Sequence, residues 1–162
     1  MPVRQRRPAL AAMLAVAALL AIAAPVSAQG SSHSCEVSAT GLAFGTYSVG
    51  SAAPLDSSST IRVTCKGIGN TRTVHVSVGP GEPGTVGQRI LTATPFDRLE
   101  YQIYTDASRR TPLGDGSLGT TLLTLGIRNN STEIVTVFGR VFARQDVEPG
   151  LYRDSLRVTV AF

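Results

Sequence analysis

The chain has 162 residues, with 15 Lys and Arg, 11 Asp and Glu, two cysteines and no tryptophan. That is room for one ordinary domain. The formal charge of +4 owes much to Arg4, Arg6 and Arg7, and the remaining cations are scattered, so a nucleic-acid-binding class resting on basicity is excluded.

The first element is a leader. Arg4, Arg6 and Arg7 precede an uncharged apolar stretch from Ala9 to Ala24, and Val26-Ser27-Ala28 then supplies small residues for a peptidase. This order of parts predicts a secretory signal peptide over residues 1–28, removed after Ala28. The competing reading is a transmembrane anchor, but the stretch falls short of the ~20 residues of a full span. The mature chain, 29–162, is then exported and nearly neutral. No later segment is apolar enough to span a bilayer.

Cys35 and Cys65 are the only cysteines. In an exported protein an even pair reads as a disulfide. The alternative is metal binding through His33 and Cys35, but so few ligands make a poor site and an oxidising compartment consumes thiols. No metal and no cofactor is implied.

From here the chain is written in strands. Thr60–Cys65, Thr73–Val78 and Leu99–Tyr104 alternate apolar and polar residues. Glu133–Phe138 does so less strictly, and Ser155–Phe162 alternates to its last residue. Period two with β-branched residues predicts half-buried strands. Gly67–Asn70, Gly79–Gly84, Gly114–Gly116, Asn129-Asn130 and Glu148–Gly150 lie between them as turns. The fold class is all-β, an antiparallel sandwich of two sheets. The expected core runs through Val37, Phe44, Ile61, Val63, Val74, Val76, Val78, Leu91, Leu99, Tyr101, Ile103, Ile134, Phe138, Val141, Leu156, Val158, Val160 and Phe162.

Catalytic chemistry finds no footing. His33 stands in a Ser-rich tail and His75 in mid-strand, so neither resembles the base of a triad, and no Gly-x-Ser-x-Gly turn is present. Gly79–Gly84 and Gly114–Gly119 both match Gly-x-Gly-x-x-Gly, yet neither opens a helix, and the first holds two prolines that remove donors. Both read as turns. Asp106, Asp115 and Asp154 would be paired acids only if folding joined two of them. The chain is not expected to be an enzyme.

The ordered set Cys35–Tyr47, Ile61–Cys65, Leu99–Asp106, Gly114–Gly116, Phe138–Val141 and Pro149–Leu156 resembles the spore coat protein U domain, shared with the pilins of archaic chaperone–usher fimbriae. The resemblance covers essentially all of 29–162. It implies an immunoglobulin-like sandwich that is incomplete, its last strand supplied by a partner: a periplasmic chaperone first, then a neighbouring pilus subunit, with an outer-membrane usher guiding assembly. Leu156, Val158, Val160 and Phe162 form the expected assembly strand, ending the sequence with no strand after it; an open apolar edge demands a partner. One departure stands out. Gln29–Ser34 is polar throughout, whereas a donor segment alternates apolar residues. The chain reads as an acceptor or terminal subunit of a fibre or coat. A secreted adhesin, a sugar- or surface-binding module, is the alternative.

Overall fold

Alternation along the chain becomes eight strands among the described residues: β1 (Ser34–Ala39), β2 (Leu55–Lys66), β3 (Arg72–Val78), β4 (Arg89–Thr92), β5 (Arg98–Tyr104), β6 (Leu123–Ile127), β7 (Ser131–Val141) and β8 (Val158–Ala161). The structure is a computed structural model and describes residues 33–162. The leader, 1–28, and the first residues of the polar segment, Gln29–Ser32, lie outside the described residues. The strands form two sheets with orders β1-β2-β7-β5-β4 and β6-β3-β8, every ladder antiparallel. They make an incomplete, curled sandwich.

The longest ladder sets the rest. Leu55–Cys65 of β2 pairs residue by residue with Ser131–Val141 of β7. On β2 the odd positions Ile61, Val63 and Cys65 are buried, while Arg62 and Lys66 face water. Val74, Val76 and Val78 of β3 oppose them across the core, and Leu99, Tyr101 and Ile103 of β5 extend the inner face of the β2 sheet. In a pleated strand one parity faces in and the other out. Ile68, between β2 and β3, and Leu113, between β5 and β6, are also buried although they stand outside any strand.

Two expected core residues are exposed. Ile134 is 54% exposed, because β7 turns its odd residues inward and buries Val137, Gly139 and Val141. Ile134 stands opposite Arg62 on the outer face. Phe162 is 51% exposed and falls beyond the end of β8. Phe138 is half-buried, but on that same outer face, where the Arg109 guanidinium lies 6.0 Å from its ring centre.

The inner row of β2 turns polar at Ser57 and Ser59, because the β1–β2 connection lies over it. The Ser57 hydroxyl donates to the Ala43 carbonyl at 2.8 Å, and the Ser59 hydroxyl donates to that of Thr40. Leu42 and Phe44 drop onto β7 where Gly139 has no side chain; a Cβ there would sit 2.7 Å from the Phe44 ring. Phe44 meets Tyr101 edge-on, with ring centres 5.9 Å apart. Three small residues thus make room for one aromatic anchor.

Candidate functional site

The cysteines face each other directly in the β1–β2 ladder and are bridged, with Cα atoms 4.1 Å apart. That separation suits a non-hydrogen-bonded antiparallel pair, whose side chains stand close. The bridge fastens an edge strand, β1, to the sheet.

The other edge of interest is β8. It pairs with β3 through His75–Val78, and among the described residues no strand covers its second edge. β1 approaches β8, but the two share no ladder. Behind this seam lies a cleft of about 260 Å³, floored by Ile61, Tyr101, Ile103 and Val137 and walled by Ala39–Leu42 on one side and Leu156 and Val158 on the other. A second, wider cavity of about 790 Å³ continues past Leu42 and Phe44 to Tyr47 and Tyr152.

The segment leading into β8 forms one wall of the candidate site. From Tyr152 to Val160 burial alternates without a break, so that Tyr152, Asp154, Leu156, Val158 and Val160 are half-buried and the residues between them exposed. Leu156, Val158 and Val160 therefore share one face, although regular strand structure begins only at Val158. Phe162 does not join them. The lead-in is tied to both sheets. Arg153 exchanges backbone hydrogen bonds with Thr92 at the end of β4, and the Gly79 N–H donates to the Arg157 carbonyl at 2.8 Å.

Asp154 is the polar member of this row. The Tyr101 hydroxyl donates to its Oδ2 at 2.7 Å, and the N–H groups of Glu82 and Ser155 donate to Oδ1 at 3.2 and 2.7 Å. Burial, and then this bond to a carboxylate, push the Tyr101 hydroxyl far above its usual range, so it stays a donor. Gly81, with φ +79°, lies so close that a Cβ on it would collide with the Asp154 carboxylate.

Arg89 closes a second seam, and the sequence offered no hint of it. It is fully buried (0% exposed). Its Nε donates to the Gly79 carbonyl at 3.2 Å, Nη1 to Val86 O at 3.1 Å and to Gln102 Oε1, and Nη2 to Val78 O at 2.8 Å and Gly79 O at 3.1 Å. All five N–H groups of the guanidinium are engaged, the condition on which such a group tolerates burial. Burial pulls its pKa down from the ordinary arginine value. The bonds join β4 in one sheet to the end of β3 in the other.

The three acids do not meet as a catalytic pair. Asp106 closes its own turn, accepting from the Ser108 hydroxyl and the Thr111 N–H, and these bonds bring its pKa down to about 2. Asp115 accepts from the Ser117 N–H and hydroxyl. His75 lies exposed on β3, 3.3 Å from the Thr124 hydroxyl. Among the described residues no group of His, Cys, Asp and Glu is placed to hold a metal ion, and no helix is long and apolar enough to cross a membrane.

Comparison with known proteins agrees with this geometry. A family model described as the Spore Coat Protein U domain matches residues 21–159. No curated protein sequence matches the chain. Among solved structures, the chain is similar to one in the CsuC–CsuE chaperone–tip adhesion subunit pre-assembly complex, from archaic chaperone–usher Csu pili of Acinetobacter baumannii. The identity is 22% and the TM-score 0.54; the match covers 80% of this chain and 40% of that one. At that identity the likeness is one of fold. The E. coli Hda pilus minor tip subunit, HdaB, matches at 17% identity and a TM-score of 0.41, over 77% of this chain and 79% of that one.

Proposed function

The chain belongs to the Spore Coat Protein U domain family, and from that premise we propose that it is a structural, non-enzymatic subunit of a surface fibre or coat, completed by a strand from another chain. The observation that carries this reading is the half-buried row Leu156, Val158 and Val160 on β8 and its lead-in: Leu156 and Val158 line a cleft, and the second edge of β8 is free among the described residues. An added strand would gain backbone hydrogen bonds from the edge and bury alternate side chains in the cleft. Each aliphatic side chain fully buried there contributes ~1.5–3 kcal/mol.

On this reading residues 1–28 direct export and are removed. A periplasmic chaperone occupies the cleft in transit, and an outer-membrane usher and neighbouring subunits follow. The solved complex that holds the fold-related chain pairs a chaperone with a tip adhesion subunit, the kind of partnership proposed here. Gln29–Ser34 offers no apolar side chain for a neighbour's cleft. The subunit is therefore an acceptor or terminal member, and does not donate a strand in mid-fibre.

The test is capture by the chaperone. Val158→Asp puts charge on the cleft wall and Val160→Asp on the same half-buried row, and both should abolish co-purification with a periplasmic chaperone, while Ser155→Asp on the exposed parity should not. Equal recovery of all three variants would refute the cleft as the assembly surface. Long homopolymers of the purified protein, seen by electron microscopy without a partner, would refute the terminal role. A protein that ignores strand peptides and instead binds a glycan or an abiotic surface is the adhesin-like module.

A further inference from the structure

We infer that the cleft selects its partner strand by one hydrogen-bond-donating side chain, a hydroxyl or amide, set opposite Asp154 in an otherwise apolar row. This rests on the strand-accepting reading above and adds to it the chemistry of the strand.

The half-buried row reads Tyr152, Asp154, Leu156, Val158, Val160, one carboxylate in a line of aromatic and aliphatic groups; Asp154, Leu156 and Val158 line the narrower cleft and Tyr152 the wider cavity. Asp154 stands at the junction of the two cavities and lines both. A partner strand running along β8 and its lead-in must pass it. A carboxylate has about four acceptor positions. The Glu82 and Ser155 N–H groups occupy Oδ1, and the Tyr101 hydroxyl takes one position on Oδ2. One position on Oδ2 remains. The other hydroxyls of the cleft, Thr40 and Ser59, are engaged with each other at 3.0 Å.

An all-aliphatic strand would seal that position away from water with nothing to fill it. Covering a carboxylate oxygen without supplying a donor forfeits the bond that water made to it, whereas a matched donor restores it. A Ser, Thr or Asn at the facing position supplies the donor, and its neighbours two residues either side fall on Leu156 and on Tyr152, where apolar groups fit. An acid there meets like charge. The selected partner thus has two apolar blocks separated by one short polar residue, and the wall sets its register as well as its identity.

The test uses synthetic nine-residue peptides of alternating Val and Ile, end-labelled, with one inward position replaced in turn by Thr, Asn or Asp. Dissociation constants come from fluorescence anisotropy on the purified full chain. One position should show Thr and Asn binding roughly tenfold or more tighter than Val, and Asp weaker than Val. In Asp154→Leu that preference should vanish or invert while the all-aliphatic peptide binds at least as well. Tyr101→Phe, which keeps the carboxylate and frees a second acceptor position, should strengthen the preference and covers the case of an Asp154→Leu protein that does not fold. Tight binding of the all-aliphatic peptide with no position favouring Thr or Asn overturns the selectivity and leaves the strand-accepting cleft standing. Failure of every peptide to bind overturns both.

Discussion

The two seams between the sheets are closed by opposite means. Between β3 and β4, one buried guanidinium is held by five hydrogen bonds to oxygens of Val78, Gly79, Val86 and Gln102. Between β1 and β8 there is no ladder but a mostly apolar cleft, with Asp154, Thr40 and Ser59 as its polar members beside the Tyr101 hydroxyl. The first seam needs nothing from outside. The second is built of groups that lose little when alone and gain much when covered. On the proposed reading, the difference lets one domain keep an accepting edge and stay folded: directional bonds hold the sheets together at one seam, and the other relies mostly on the hydrophobic effect, with Asp154 as its one charged group.

The strongest way to break the contrast is at Arg89. Arg89→Leu strands several buried carbonyls, each at about 1–3 kcal/mol, so a loss on the order of 4 kcal/mol is expected in urea unfolding. Arg89→Lys, with three donors in place of five, should recover only part of it. Next comes the bridge. Cys35→Ala with Cys65→Ala removes a link of sequence separation 30, worth about 3–4 kcal/mol by the chain-entropy model. The non-reduced protein should show no free thiol on labelling in denaturant.

A finer comparison uses two residues paired in one ladder. Val76 is buried and its partner Val160 half-buried. Val76→Ala should cost about 2 kcal/mol and Val160→Ala about 1 or less. When a strand peptide fills the cleft the two costs should converge; if Val160→Ala stays as cheap in the complex, the peptide does not cover β8. The smallest effect lies on the outer face, at Asp56. Arg140 holds both its oxygens, at 2.7 and 2.9 Å, which lowers its pKa from the ordinary 3.8. A lowered carboxyl contributes stability that is full above its unfolded pKa and lost as pH falls through the folded value. Asp56→Asn should therefore cost about 0.5 kcal/mol near neutrality and flatten the acid limb of the stability profile.

Where alternation was strict, the strands were readable in advance. Thr60–Cys65, Thr73–Val78 and Leu99–Tyr104 lie within β2, β3 and β5, because a pleat with β-branched residues is a local property. In β7 the residues at 134, 135, 137 and 138 are all apolar, so the inward parity comes from pairing with β2 and not from the strand itself. β6 was missed: Gly126 interrupts a five-residue strand whose inward row is Leu123, Leu125 and Ile127. Arg89 was illegible for a different reason. A guanidinium after Gly87-Gln88 reads as surface, and its burial depends on carbonyls that only the folded loop brings to it. Asp154 had a visible signal, the same parity as Leu156, yet in the sequence it reads only as one of three scattered acids, because its partners Tyr101 and Glu82 come from distant parts of the chain.

Arg89 has one more consequence, for the medium in which the protein works. Its partners are neutral carbonyl oxygens, and among the described residues no carboxylate forms an ion pair with it. Dissolved ions weaken attraction between separated exposed charges over a Debye length of about 8 Å at physiological ionic strength; they do little to a hydrogen bond sealed from water. The clamp should hold as firmly in brine as in fresh water, and a stability loss in Arg89→Leu that is nearly the same at low and high sodium chloride would be its signature.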